Sequence, residues 1–350
     1  MKDDKMAREI ADISPTPELA PQAYIETQNI KKLSNVFGFT LLSQQFIALF
    51  ATLSTCIVYY FIQIVLLRKH FSSISTAFIQ DSNSLGPIIL MCFVYFSYMF
   101  IPFILQAFIL KQNPLQIVPV KKIEKVRYLI PALSIVLLLS FISQFVTEYI
   151  TLFLSFIHLK PISPDFTAPN NTPALIAFFV EICILAPLCE EFIFRGIILN
   201  NLKRFGSAFA IIVSSILFAM VHGDILQMPL AFIVGLIFGV LVLEFGSIWV
   251  TIIMHCVVNI ISLTVGILSV KYGDNFAGSI YLGFIFIAIL VAIPILMMLI
   301  RNHTLSTKYK EYKDSLLPMP FMLKKIFTTP GIILFAIITV FIAILYMKVI

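Results

Sequence analysis

Charged residues are scarce in this chain of 350 residues, since Asp, Glu, Lys and Arg together make up only 12% of it. Hydrophobic residues make up 60%, and the mean hydropathy is +1.00. Soluble domains carry about 25% charged residues, so this composition excludes an ordinary soluble enzyme and a disordered chain. A surface this apolar is compatible with lipid rather than water, which predicts an integral membrane protein.

The sequence also lacks any cysteine pair of the CxxC type and any zinc-ribbon spacing. Its five cysteines all lie inside apolar runs, so we interpret them as buried apolar side chains rather than as a disulfide framework. The net charge is +6, but the basic residues sit in short loops and form no continuous stripe. We therefore expect no nucleic-acid partner; the predicted partners are membrane lipids and a membrane-associated peptide or protein substrate.

Apolar runs long enough to cross a bilayer, which takes roughly 20 residues, recur along the chain. They predict an all-α fold, a polytopic membrane bundle of about nine transmembrane helices. The candidate runs are 41–67, 87–110, 128–157, 174–195, 208–222, 228–245, 247–270, 280–300 and 331–347.

The distribution of Lys and Arg predicts the orientation of this bundle. With the N-terminus in the cytoplasm, 19 of the 24 basic residues fall in cytoplasmic segments, as is typical of membrane proteins. We therefore predict a multi-pass protein of the cell membrane with a cytoplasmic N-terminus. Residues 1–36 are polar and contain Pro15, Pro17 and Pro21, so we expect a flexible cytoplasmic tail there.

Ionisable and amide side chains inside the apolar runs are few, and they are candidates for function because they are costly in lipid. Glu191 and Arg195 share a helix face and can form an ion pair. Glu190 lies about 100° round the helix from Glu191, without that partner, and is the candidate general base; a purely structural Glu–Arg clamp is the alternative. The main cluster consists of Glu190, Glu191, Arg195, His222, His255 and Asn259.

The spacing around Gly206 predicts which of these residues meet. Gly206 lies 16 residues after Glu190 and 16 before His222, so a helical hairpin turning there places both at the same depth. We expect Glu190 and His222 to face each other across two antiparallel helices. Pro187 lacks an N–H and should kink the helix, which frees backbone carbonyls and admits water near Glu190.

Three motifs in this region resemble those of a known family. EExxxR stands at 190–195, FxxxH at 218–222 and HxxxN at 255–259. In this order, on three apolar helices, they resemble the CPBP family of intramembrane proteases, also called the Abi or type II CAAX prenyl endopeptidase family. The resemblance covers about 174–265, roughly a quarter of the chain.

The resemblance implies an all-helical membrane peptidase and assigns roles to the motif residues. Glu190 takes the place of the catalytic base, and His222 that of the histidine that helps to activate water. His255 and Asn259 match the residues that hold the carbonyl oxygen as negative charge develops. Such acid–base help is typically worth 10²–10⁴-fold in rate, and each oxyanion donor a few kcal/mol.

The resemblance leaves the metal question open, because the family has been described both as metalloproteases and as metal-free glutamate peptidases. Glu191 and Arg195 are supporting residues in either case. Two histidines and one glutamate can hold zinc, here Glu190, His222 and His255. We favour hydrolysis with no cofactor, since HExxH is absent and a ligating Glu190 could not also act as a free base.

These expectations divide the chain into four segments. Residues 1–36 form the tail, 37–173 the N-terminal transmembrane helices, 174–270 the CPBP-like catalytic core, and 271–350 the C-terminal transmembrane helices with a basic cytoplasmic loop at 301–325. Two other functions stay open: a non-proteolytic scaffold or bacteriocin-immunity protein of the same fold, and a transporter with a proton relay. The lack of an internal repeat argues against the transporter.

Overall fold

Long helices dominate the computed structural model, which describes residues 19–61, 64, 85–124, 126–162, 168–169, 171–301 and 315–349. The α-helices are α1 Ala20–Phe61, α2 Leu85–Ile109, α3 Pro114–Ile117, α4 Leu129–Phe156, α5 Thr172–Val180, α6 Ala186–Glu191, α7 Leu199–Leu202, α8 Ser207–Val221, α9 Met228–Phe245, α10 Ile248–Tyr272, α11 Asp274–Arg301, α12 Met319–Phe327 and α13 Pro330–Leu345. The other elements are π-helices Glu181–Leu185 and Phe192–Ile198, 3₁₀ turns Val126–Tyr128 and Lys203–Phe205, and strands β1 Leu159–Pro161 and β2 Met347–Val349.

The predicted fold class, a polytopic helical membrane protein, is confirmed. Seven helices within the described residues are long and apolar enough to cross a membrane, or eight if α12 and α13, bent by 70°, form one span. Helix α8 is apolar but shorter. The predicted count of nine is therefore not confirmed, and the end of the first predicted run, beyond Phe61, lies largely outside the described residues.

The first helix begins far earlier than the sequence interpretation placed it. Residues 20–36, expected to be a flexible tail, form the first part of α1 and pack against α12 and α13. Pro21 falls in the first helical turn, where proline is tolerated, and polar residues interrupt the buried stripe, so the apolar runs did not show it. Residues 1–18 lie outside the described part of the chain. The fully buried stripe is Ala23, Thr27, Ile30, Ser34, Phe37 and Leu41.

Helices α1 and α13 touch through their backbones. A Cβ added at Gly38 would lie 2.2 Å from the carbonyl carbon of Gly331, so only glycine allows this approach. Nearby, the Gly331 N–H donates to Asn35 Oδ1 at 3.1 Å, and the Ser34 and Thr329 hydroxyls are 2.6 Å apart. Small residues and interhelical hydrogen bonds of this kind hold helices together in lipid, where the hydrophobic effect does not.

Contacts near the ends of the helices fall into two groups. In one group, Ser247, in the turn between α9 and α10, donates to the carbonyl of Lys121 at 2.6 Å, and the Glu26 carboxylate accepts the N–H of Leu316 at 3.3 Å. In the other, β1 and β2 pair antiparallel with Lys160 opposite Lys348. Each group joins segments that the charge distribution predicts on one side of the membrane.

One hydrophobic core joins the motif-bearing helices to the rest of the chain. It contains buried side chains from α1 and α2, from the segment 189–219, and from α9, α10, α12 and α13.

The cysteines described with side chains, Cys92, Cys183, Cys189 and Cys256, are free thiols, as predicted. Cys56 was predicted likewise, but its side chain lies outside the described set.

Candidate active site

The candidate site is built on a composite helix from Thr172 to Phe205, an α-helix interrupted by two π-helical stretches. The short helix α6, which ends at Glu190 and Glu191, lies between the two π-helices. π-Helical turns are rare and often occur at functional sites. Gly206, with φ +124°, ends the composite helix. The chain then returns as α8, so the predicted hairpin turn at this residue is confirmed.

Pro187 and the first π-helix together free one carbonyl. The Ala186 N–H donates to Glu181 O, five residues back, instead of to Ile182 O. Pro187, the next possible donor to Ile182 O, has no N–H. The side-chain amide of Asn259 fills this gap and donates to Ile182 O at 2.9 Å. The predicted freeing of a carbonyl thus fixes Asn259 of α10 against the composite helix.

The second π-helix ends in a similar way. The Leu199 N–H donates to Phe194 O, again five residues back, and the Asn200 amide donates to Arg195 O at 2.6 Å. Lys203 Nζ donates in turn to Asn200 Oδ1 at 2.6 Å. One asparagine side chain therefore donates to a carbonyl in each π-helix, which helps the irregular backbone to persist in an apolar interior.

The predicted Glu191–Arg195 ion pair is confirmed. Arg195 Nη1 lies 2.9 Å from Glu191 Oε1, and the two side chains are 1% and 0% exposed. The guanidinium carbon also lies 4.1 Å from the ring centroid of Phe218 and 5.3 Å from that of Phe238. Aromatic faces stabilise a desolvated cation, so Arg195 is held by one carboxylate and two rings.

His255 of α10 lies beside both glutamates. Its Nδ1 lies 3.1 Å from Glu191 Oε1 and its Nε2 lies 3.8 Å from Glu190 Oε2. Since a carboxylate oxygen accepts, the first contact places a proton on Nδ1 and turns Nε2 towards Glu190. A carboxylate that orients an imidazole in this way is a recurrent arrangement in hydrolytic sites. Glu191 therefore links Arg195 to His255.

His222 lies at the end of α8 and reaches the site through Phe218. Its Nδ1 donates to the Phe218 carbonyl at 2.8 Å. The Phe218 ring lies 5.0 Å from the His222 ring and 6.1 Å from the His255 ring, both edge to face. The phenylalanine of FxxxH therefore packs against both imidazoles.

The predicted facing of Glu190 and His222 is not seen as a direct hydrogen bond. Within the part of the chain that the structure describes, the imidazole that approaches Glu190 is that of His255. The equal-spacing argument assumed 3.6 residues per turn along both arms of the hairpin. The second π-helix, Phe192–Ile198, lies between Glu190 and Gly206 and breaks that assumption, because its wider winding changes the phase of Glu190 relative to the turn.

Sequence reasoning missed two residues at the site. The Tyr95 hydroxyl of α2 donates to Glu190 Oε1 at 2.8 Å, and the Phe238 ring of α9 lies 5.6 Å from that of His255. A tyrosine within an apolar span needs a partner for its hydroxyl, and this signal could have singled out Tyr95. Nothing in the sequence marks Phe238 among the other apolar residues of α9.

The site as it stands does not fit a three-ligand zinc centre. No group of three His, Cys, Asp or Glu side chains among the described residues lies close enough to hold a metal ion. The absence of a cofactor remains a prediction, tested below.

Comparisons with known proteins point to the same segment. Residues 172–261 match the model of the family described as type II CAAX prenyl endopeptidase Rce1-like. An "Uncharacterized 24.3 kDa protein" of Escherichia coli is 29% identical over 113 residues, which are 31% of this chain and 52% of the relative. "Putative membrane peptidase YdiL" of Bacillus subtilis (strain 168) is 36% identical over 77 residues, which are 22% and 32%.

The resemblance to this protease family is therefore confirmed over the matched residues. The chain spans about half the length of the first relative and about a third of the second. No solved structure matches it. The matched segment contains the whole cluster from Glu190 to Asn259 but excludes α1, α2, α4 and the last helices. The segment shared with this endopeptidase family is therefore the one that carries the candidate site.

Proposed function

We propose that this protein is an intramembrane endopeptidase that hydrolyses a peptide bond with a water molecule activated by Glu190. The observation that carries the proposal is the meeting of Glu190 and His255, 3.8 Å apart between Oε2 and Nε2. These residues lie on different helices within the segment that matches a prenyl endopeptidase family. Their side chains are 15% and 11% exposed, so solvent reaches them only narrowly.

Glu190 supplies the proton transfers. Its carboxylate accepts a proton from water as the hydroxide oxygen bonds to the carbonyl carbon of the substrate. The tetrahedral intermediate then collapses, the C–N bond breaks, and the proton passes from Glu190 to the leaving amine. Glu190 ends the cycle as a carboxylate, and one water is consumed for each bond cleaved. His222 turns Nε2, its ring nitrogen not bonded to Phe218, to the same water.

His255 and Asn259 serve the developing oxyanion in this proposal. An amide nitrogen carries two hydrogens, and Asn259 uses one for Ile182 O, so the other is available to the substrate carbonyl. His255 donates from Nε2 when both of its ring nitrogens are protonated. Donors preorganised in a site poor in water are worth a few kcal/mol each, because they need no reorganisation during the reaction.

The substrate class follows from the position of the site. Glu190, His255 and Asn259 lie in helical segments that are long and apolar enough to span a bilayer, so a substrate must reach them from within the membrane or at its edge. We therefore propose a membrane-associated or lipidated peptide or protein. A prenylated C-terminal peptide is the first probe to use, since the matched family is described by that activity.

Cleavage by the purified protein tests the proposal. Wild type in lipid nanodiscs is given a quenched fluorescent farnesylated CAAX peptide and, in parallel, single-span membrane peptides. We expect Glu190→Gln and His222→Ala to lose about 10²–10⁴-fold in rate. Glu148→Gln is the matched control, because Glu148 is an exposed glutamate of α4 outside the site. Cleavage that persists in Glu190→Gln would contradict the proposal.

Chelation tests the prediction that no cofactor is needed. We expect wild-type activity to survive exhaustive treatment with a strong zinc chelator, because the described residues assemble no three-ligand centre. Metal content measured on the same sample shows that the treatment was complete. Activity that is lost to the chelator and restored by zinc would instead make Glu190, His222 and His255 ligands and overturn the metal-free reaction.

A further inference from the structure

Helix α2 brings one polar group into the site from outside the matched segment. The Tyr95 hydroxyl donates to Glu190 Oε1 at 2.8 Å, whereas the family match begins at residue 172. Aromatic contacts hold α2 in this position. Between the helices, the ring of Phe100 on α2 lies 5.5 Å from that of Phe192 at the start of the second π-helix, while within α2 the rings of Tyr95 and Tyr98 meet edge to face at 5.1 Å.

The contact divides the two oxygens of Glu190 between two tasks. Oε1 is occupied by Tyr95, and Oε2 faces His255 Nε2 at 3.8 Å. A carboxylate without a partner turns about its last bond, since that torsion has broad minima. A hydrogen bond to one oxygen restrains this rotation, and the remaining oxygen keeps a constant direction towards His255.

We propose that Tyr95 is a positioning residue for the general base: its hydroxyl holds the Glu190 carboxylate so that Oε2 points at the water to be activated. This inference rests on the proposed function of Glu190. Tyr95 acts through Glu190 and transfers no proton itself. Its role requires the hydroxyl, whereas the ring alone supplies the packing between α2 and the composite helix.

Tyr95→Phe separates these two contributions because it removes one oxygen and keeps the ring. We expect kcat to fall about 10- to 100-fold, since a misplaced catalytic group costs up to about 10² in rate. KM should change by less than about twofold, because the substrate does not need Tyr95 to bind. A residue that only supported the fold would instead lower the active fraction, which active-site titration or thermal unfolding would show.

Tyr98→Phe is the matched control. It makes the same chemical change three residues along the same helix, next to Tyr95. The Tyr98 hydroxyl has no hydrogen bond within the described residues, in contrast to that of Tyr95. We expect Tyr98→Phe to keep kcat within about twofold of wild type. An equal fall of kcat in both variants would overturn the inference.

A double-mutant cycle tests the contact without any substrate. Thermal unfolding is measured for wild type, Tyr95→Phe, Glu190→Leu and the double variant. We expect the two losses to be less than additive, as for side chains in direct contact. If the two losses are strictly additive, and activity needs Glu190 but not the Tyr95 hydroxyl, the positioning role of Tyr95 is wrong and the proposed function is unaffected. If the wild-type protein has no peptidase activity, the proposed function is wrong, and so is the positioning role of Tyr95 in hydrolysis.

Discussion

Adjacent glutamates in this site have separate partners because of helix geometry. Glu190 and Glu191 lie about 100° apart round the helix. Glu191 is fully buried and joins Arg195 to His255, whereas Glu190 is 15% exposed and bonds to Tyr95. A fully buried carboxylate paired with arginine suits support, and a partly exposed one suits exchange of a proton with water. Two adjacent residues of one type therefore lie in different environments, as the proposed division of roles requires.

Removal of one member of the buried pair should be costly. We expect Glu191→Leu to lower the free energy of unfolding by about 3–5 kcal/mol, because it leaves Arg195 as an uncompensated buried charge. The double variant Glu191→Leu/Arg195→Met should recover most of this loss, since an apolar replacement of both members is often neutral. Denaturation in detergent measures both.

Activity should not return with stability in that double variant. Glu191 accepts the Nδ1 proton of His255 at 3.1 Å, and neither leucine nor methionine can replace this acceptor. A double variant that regains both stability and peptide cleavage would show that Glu191 serves the fold alone.

At the scale of the elements, the composite helix depends on side chains that replace lost backbone bonds. Asn259 satisfies Ile182 O at the first π-helix, and Asn200 satisfies Arg195 O at the second. Ile182 O depends on its asparagine most, because Pro187 has no N–H to offer it, and an unsatisfied group in an apolar interior costs about 1–3 kcal/mol. Polar side chains of the candidate site thus also hold its backbone.

The Asn259 contact can be tested by rescue. We expect Asn259→Leu to lower the free energy of unfolding by about 1–3 kcal/mol, because Ile182 O loses its donor. Pro187→Ala in the same background restores an N–H five residues after Ile182 and should return part of this stability. Thermal unfolding of the single and double variants is the measurement. If Asn259→Leu and Asn259→Leu/Pro187→Ala unfold at the same temperature, the missing N–H of Pro187 is not the reason that the Ile182 carbonyl needs Asn259.

The crossing of α1 and α13 depends on a glycine. Gly38→Ala should destabilise the protein by about 1–3 kcal/mol, the usual range for overpacking, because the new methyl group would meet the backbone of Gly331. Gly266→Ala is the control: it lies within α10, and a Cβ there meets nothing within 4 Å. Thermal unfolding in one detergent compares them. Equal stability of the two variants would contradict the close approach.

At the scale of the whole molecule, contacts between loops limit how the chain can cross the membrane. Strands β1 and β2 require the end of α4 and the end of α13 to share a side. The contact between Glu26 and Leu316 requires the same of the start of α1 and the segment before α12. These contacts agree with the pairing of sides that the Lys and Arg distribution predicts.

Cysteine labelling tests the orientation. Under the prediction of a cytoplasmic N-terminus, Lys160→Cys and Lys348→Cys should both react with an impermeant maleimide in intact cells. Lys122→Cys, in the loop before α4, should react only after permeabilisation. Wild type, whose cysteines lie in apolar runs, gives the background. Labelling of Lys160→Cys and Lys348→Cys from opposite sides would contradict the strand pairing, and protection of both would reverse the predicted orientation.

Much of the fold and part of the site could be predicted because the relevant signals are local. Apolar runs mark the spans, Gly206 marks the hairpin turn, and the spacing of Glu191 and Arg195 marks their ion pair. The start of α1 at Ala20 could not be predicted in this way. Its buried stripe includes Thr27 and Ser34, which look polar until α12 and α13 cover them.

The sequence by itself determined that the chain lies in a membrane, and it singled out six polar residues as a candidate site, because hydropathy and helical spacing are properties of short segments. Only the tertiary structure decided that His255 rather than His222 contacts Glu190, and that Tyr95 completes the cluster. Those contacts depend on how separate helices are rotated against each other. The second π-helix changes that rotation between Glu190 and the hairpin turn, and Asn259 of α10 satisfies the carbonyl of Ile182 that the first π-helix leaves free.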